Sequence, residues 1–244
     1  MAITICLGVV LIWVWLTGAF RYSNWLGVVL SWIPWFGQYA ACQAAINSTD
    51  EELQITSAKR LINQKYMTDF ALYARYARCN DVIQEVITRL NQLSLTIIAK
   101  KCEYSTTRLA AIKRLNDQDI IMYVAINDED RFVRIVALEL LQEQSLLEDV
   151  AKKCKHTDVL LKTAGKLDNV KLAQSVYAYV AIKGGYDEKN TAIGLIGDRF
   201  VLADVAKNSE NEKIKTAAVN RLCEMVLVSL KSKDVSKIQS NKQS

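Results

Sequence analysis

Asp128-Glu129-Asp130-Arg131-Phe132-Val133-Arg134-Ile135-Val136-Ala137 is the stretch on which the fold turns. Three acidic residues make a turn and offer a helix cap, because a carboxylate accepts the N–H bonds that a helix start leaves open. Behind them, Val-Arg and then small and aliphatic residues open an amphipathic helix. Ala137 is followed four residues later by Leu141, and this small–large pair recurs. Leucine or isoleucine stands at Leu61, Leu90, Leu115, Leu141, Leu167, Ile196 and Leu222, with spacings of 29, 25, 26, 26, 29 and 26. Four residues before each anchor stand Ser57, Val86, Ala111, Ala137, Thr163, Ala192 and Ala218. Four residues is about one helical turn, so the small residue gives each helix a narrow side that a neighbour can approach.

About ten residues after each anchor comes an apolar–Ala pair: Phe70-Ala71, Ile98-Ala99, Val124-Ala125, Val150-Ala151, Tyr177-Ala178 and Val205-Ala206. One turn before those alanines lie Met67, Leu95, Ile121, Leu147 and Leu202, while Gln174 interrupts the column in the fifth repeat. These positions define a second short helix. Between the two helices recur Asn63-Gln64, Asn91-Gln92, Asp117-Gln118, Glu143-Gln144, Asp168-Asn169 and Asp198-Arg199, where a turn and a helix restart are expected. Two short helices cannot bury their apolar faces alone. Stacked repeats can, with each buried Leu or Ile worth roughly 1.5–3 kcal/mol.

Over residues 53–225 the chain resembles the HEAT-like repeat family. The resemblance implies an all-α, right-handed α-solenoid of about six to seven short two-helix repeats. It also implies a ladder in which a basic residue, seven before the anchor, pairs with an acid of a neighbouring repeat. Arg108, Arg134, Lys189 and Lys215 occupy that place, whereas Gln54, Ile83 and Leu160 stand there in the other three repeats.

The front of the chain is different. Residues 1–45 carry one charged side chain, Arg21, together with all five tryptophans and the single proline. Residues 2–20 are uncharged, and 19 residues of helix span roughly 28 Å, near the thickness of a bilayer core. A second apolar stretch covers 25–45, and Leu7-Gly8-Val9-Val10-Leu11 returns as Leu26-Gly27-Val28-Val29-Leu30. The expectation is one or two transmembrane helices, the pair forming a hairpin about Arg21-Tyr22-Ser23-Asn24. A buried soluble helix pair, a cleaved signal peptide and a lipoprotein box at Tyr39-Ala40-Ala41-Cys42 are the competing readings. If both stretches span, Lys59, Arg60 and Lys65 favour both termini inside, and if only the first spans, Arg21 marks its inner flank; either case puts residues 46–244 in the cytoplasm. The chain therefore divides into a membrane anchor at 1–45, a repeat domain at 46–230 and a flexible basic tail at 231–244.

Little chemistry is legible. Residues 46–244 hold 30 basic and 26 acidic side chains, too mild an excess to point to nucleic acid. The one histidine, His156, forms Cys154-x-His156 with no second ligand pair nearby, so neither a metal site nor a Cys–His nucleophile is expected. Cys102 and Cys154 lie two repeat lengths apart, too far to bridge, and are expected as free thiols. Gly184-Gly185 and Gly194-x-x-Gly197 match no phosphate loop and suggest an insertion between repeats five and six. Tyr66, Tyr73, Tyr76 and Tyr104 are either a recognition surface or half-buried layer residues. No catalytic, cofactor-binding or metal residue is assigned. The expected role is a membrane-anchored, non-catalytic protein–protein interaction scaffold, with the bilayer engaged through residues 2–45. A nucleic-acid-binding or modifying HEAT-like protein and an exported binding module are the alternatives.

Overall fold

The computed structural model describes residues 37–73 and 80–240. These are all-helical, with no strand among the described residues. In chain order the helices are α1 (Gly37–Asn47), α2 (Glu51–Lys59), α3 (Gln64–Tyr73), α4 (Asn80–Thr88), α5 (Gln92–Lys101), α6 (Ser105–Ile112) and α7 (Gln118–Asn127). They continue with α8 (Arg131–Leu140), α9 (Gln144–Lys153), α10 (Thr157–Lys166), α11 (Val170–Lys183), α12 (Tyr186–Leu195), α13 (Arg199–Asn208) and α14 (Glu212–Ser240).

The helices start where the polar pairs lie. Asn91 Oδ1 accepts from Ser94 N at 2.9 Å, Asp130 Oδ1 from Phe132 N at 2.8 Å, and Asp198 Oδ1 from Phe200 N at 2.7 Å. Six of the seven anchors end helices, while Leu222 sits within α14. Leu61, Leu90, Leu115 and Leu141 each donate their N–H to the carbonyl three residues back, a tightened last turn, and are buried just beyond it. All seven small residues four places earlier are at most 1 % exposed, which places the narrow side of each helix in the core.

The chain separates into two compact units, residues up to Ile120 and residues from Ile121, where the sequence suggested one repeat domain. Within the first unit, α1, α3 and α5 pack in succession, as do α2, α4 and α6, with α1 on α2, α3 on α4 and α5 on α6 joining the two rows. Within the second, α9, α11 and α13 form one succession and α8, α10, α12 and α14 the other. Within each row a helix meets the next but one in sequence.

Three expectations are corrected. First, the apolar stretch reaching residue 45 runs into α1, which packs Ala40, Ala41, Ala44 and Ala45 against α2 and α3. Composition alone does not separate an alanine-rich packed helix from a lipid-facing one. Among the described residues no helix is long and apolar enough to cross a membrane, and residues 1–36, most of the expected anchor at 1–45, lie outside them. Second, α14 continues to Ser240, through most of the expected flexible tail. It holds neither glycine nor proline, so nothing in its backbone stops the helix. Third, the buried pair of repeat five is Val180-Ala181, with Tyr177 one turn before it, three residues later than Tyr177-Ala178. The insertion is an extra turn at the front of α11, over residues 170–173, and not at Gly184-Gly185. Those glycines make a direct helix-to-helix turn, Gly184 capping α11 and Gly185 opening α12.

Candidate interaction surface

A ladder of glutamines runs along the turns within each unit. Gln64 Nε2 donates to Arg89 O at 3.0 Å while its Oε1 accepts from Asn91 N at 2.8 Å, so one amide grips both peptides beside Leu90. Gln38 does the same around Leu61 (Arg60 O at 2.9 Å, Ile62 N at 2.6 Å), and Gln92 around Leu115 (Arg114 O at 3.0 Å, Asn116 N at 2.9 Å). In the second unit Gln144 grips the peptides around Leu167, bonding Lys166 O at 3.0 Å and Asp168 N at 3.1 Å. Gln174 accepts from Gly197 N at 2.9 Å and Asp198 N at 3.2 Å. Gln174 is therefore a rung displaced by the extra turn of α11, and not a break in the core column. The glutamines lie seven residues before Ala45, Ala71, Ala99, Ala151 and Ala181, a constant offset that would have disclosed them.

A second ladder uses the cation just before the anchor. Arg89 donates to Lys59 O and Leu61 O, Arg114 to Thr88 O, Lys166 to Leu138 O and Arg221 to Gly194 O. Each cation sits against the negative end of the preceding repeat's helix, where positive charge is favoured. Of the ladder implied by the family resemblance, Arg134 makes a buried rung. Arg134 Nη2 lies 3.0 Å from Asp158 Oδ2, both side chains are buried, and Arg131 Nε approaches the same oxygen at 3.2 Å. Arg134 Nη1 also donates to Asp128 O and Glu129 O, and Arg108 Nη1 repeats this with Cys102 O and Glu103 O. Lys215 instead pairs with Glu212 inside its own turn.

The residues weighed for chemistry fall in scattered places. His156 is the half-buried residue before α10, and its carbonyl accepts from the Cys154 thiol at 3.8 Å. Among the described residues no three His, Cys, Asp or Glu side chains cluster to hold a metal. Cys102 and Cys154 are buried free thiols, and burial pushes both above the ordinary thiol range. Tyr66 is half-buried in an edge-to-face pair with Tyr39, centroids 6.2 Å apart. Tyr73 is exposed, Tyr104 precedes α6, and Tyr76 lies outside the described residues.

An open groove lies on the second unit. It occupies about 830 Å³ between the first turns of α11 and α13 and the middle turns of α14. The extra turn of α11 raises one wall, Val170 and Lys171, and α13 supplies Arg199 and Phe200. Opposite them stand Met225 and Val226 of α14, with Gln174 and Gly197 at the base of the ladder also lining the space. Val170 is 69 % and Phe200 74 % exposed, and the Arg199 guanidinium lies over the Phe200 ring, 5.2 Å from its centre. Water-facing aromatic and branched side chains gathered in a concavity mark a recognition surface.

Comparison with known proteins leaves the geometry to speak for itself: no family model matches the chain, and no curated protein or solved structure is detectably similar to it.

Proposed function

We propose that the chain is a membrane-anchored, non-catalytic interaction scaffold. Its helices stack as a right-handed α-solenoid of HEAT-like repeats, and its apolar front end holds this surface at the cytoplasmic face of a bilayer. The groove of the second unit carries the reading, since it gathers exposed Val170, Phe200 and Val226 where a solvated surface would be polar. Neighbour and next-neighbour packing, the repeated backbone clamps and the Arg134–Asp158 rung support the solenoid. The uncharged stretch at residues 2–20 supports the anchor.

Two observations count against the alternatives. Arg89, Arg114, Arg134 and Lys166 are engaged by helix carbonyls or a carboxylate, which leaves fewer cations for a phosphate backbone. Cys42, the cysteine of the lipoprotein box, is buried in α1 with its thiol donating to Tyr66 O at 3.3 Å, and cleavage before it would remove Gln38 from the ladder.

The test is fractionation of the full chain. It is expected to stay with membranes through alkaline carbonate and, after mild detergent, to migrate in complexes larger than itself. Release by carbonate overturns the anchor. A monomer free of other proteins under gentle extraction overturns the scaffold.

A further inference from the structure

The groove's charge pattern defines the chemistry of what it binds. The ladder position in repeat six is Arg199, where the earlier described rungs carry glutamine. A glutamine amide both donates and accepts, and so matches a turn that offers one carbonyl and one N–H; a guanidinium only donates. The turn that Arg199 would grip is also missing, because Leu222 lies inside α14 and the peptides around it belong to the helix. Arg199 is left at the end of the ladder with the Phe200 ring as its contact.

Lys171, on α11, lines the same groove. Among the described residues neither Lys171 nor Arg199 has a carboxylate partner, and the Asp198 side chain, which also lines the groove, accepts from Phe200 N. The first turns of α11 and α13 contain no acidic residue. Asp198 already supplies an anion to the α13 N-terminus, yet with two cations and one carboxylate among its lining residues the groove keeps a positive excess. An anionic occupant complements that excess. A carboxylate between Lys171 and Arg199 would accept the forked Arg N–H groups, while an apolar side chain on the same segment would fill the space bounded by Val170, Phe200 and Val226.

We infer that the groove between α11, α13 and α14 is a docking site for an acidic, apolar peptide segment of a protein partner, held by Arg199 and Lys171 through a carboxylate and by Phe200 through its aliphatic or aromatic neighbour. This deepens the scaffold reading and rests on it.

The experiment is selection of a random-peptide phage library on the full chain in detergent, repeated on the K171E/R199E double variant and on F200S. All three substituted side chains are exposed, so the variants keep the fold, which circular dichroism verifies. Selected peptides are expected to place Asp or Glu within one helical turn of a Leu or aromatic residue. Synthetic copies should bind the charge-reversed variant about tenfold or more weakly, the size of a lost charge-assisted contact. F200S should weaken them as well. Enrichment without acidic residues, equal binding to the reversed variant, or no enrichment overturns the site. So does charge-dependent sedimentation with phosphatidylglycerol vesicles in place of peptide binding, which would assign the cations to lipid. If the site fails while the membrane complexes persist in K171E/R199E, the scaffold reading survives it; if those complexes never existed, the scaffold itself has failed.

Discussion

Arg134 and Asp158, 24 residues apart in sequence, meet at 3.0 Å with both side chains buried, joining α8 to α10 across a repeat boundary. Arg134 also holds two carbonyls of the acidic turn before its own helix, so a single guanidinium fixes a turn, a helix start and the next repeat. Removing the carboxylate leaves that cation buried without its counter-charge. Asp158→Ala is expected to cost about 3 kcal/mol, in the range for breaking a buried pair from one side. Lys162→Ala, which removes the exposed ion pair with Glu139, is expected to cost well under about 1 kcal/mol. Urea unfolding of the two variants side by side measures the contrast.

The glutamine ladder makes a pH-dependent prediction. Gln64→Ala removes both bonds to the peptides beside Leu90 and is expected to cost about 1–2 kcal/mol. Gln64→Glu keeps the acceptor for Asn91 N–H but sets a negative oxygen against Arg89 O. At neutral pH it should therefore rescue little. Below the carboxyl range, near pH ~4, the protonated acid regains a donor and the deficit relative to the parent chain should shrink. Denaturation midpoints at the two pH values decide it, and a deficit that does not change with pH would show that the donor to Arg89 O carries nothing.

Two glycines predict opposite signs. A Cβ at Gly184 would lie 2.7 Å from Val180 O, so Gly184→Ala must displace the end of α11. At Gly194, inside α12, a Cβ meets nothing within 4 Å, and alanine there gains helix propensity of up to about 1 kcal/mol. Thermal unfolding should place Gly184→Ala below the parent and Gly194→Ala level with it or above.

The thiols separate by burial. Cys102 and Cys154 are held above the usual thiol range, chiefly by burial, whereas Cys223 is exposed on α14. At pH 8, iodoacetamide should label Cys223 rapidly and the other two only after unfolding, as read by peptide mass spectrometry. The sign of the linkage comes from the raised values. Burial of the neutral thiols contributes stability that is whole below the unfolded thiol pKa, 9.0, and is lost as pH climbs from there through the higher folded values. Serine at either position should flatten that alkaline decline.

Much of the repeat was legible in the order of residues. The column of Ser57, Val86, Ala111, Ala137, Thr163, Ala192 and Ala218 is buried throughout, because a residue that must admit a neighbouring helix is constrained to be small at every recurrence. The caps at Asn91, Asp130 and Asp198 were legible too, since they act within three residues of themselves. Repeat five was misread at Gln174: counting from Leu167 places Tyr177-Ala178 in the core, and only the extra turn of α11 reveals that Val180-Ala181 belongs there. The groove was not legible, because its walls come from three helices whose registers depend on that inserted turn.

By itself, then, the chain's primary structure determined the helical class, the period near 26 and the small residues of the core, all of which stem from local spacing and side-chain size. Tertiary structure alone decided that five glutamines clamp the turns of succeeding repeats, that α1 belongs with α2 and α3, and that Arg199 ends the ladder over Phe200. The clamps join residues 22 to 27 positions apart. They are set by how one repeat rotates onto the next, a quantity that no short stretch of chain contains.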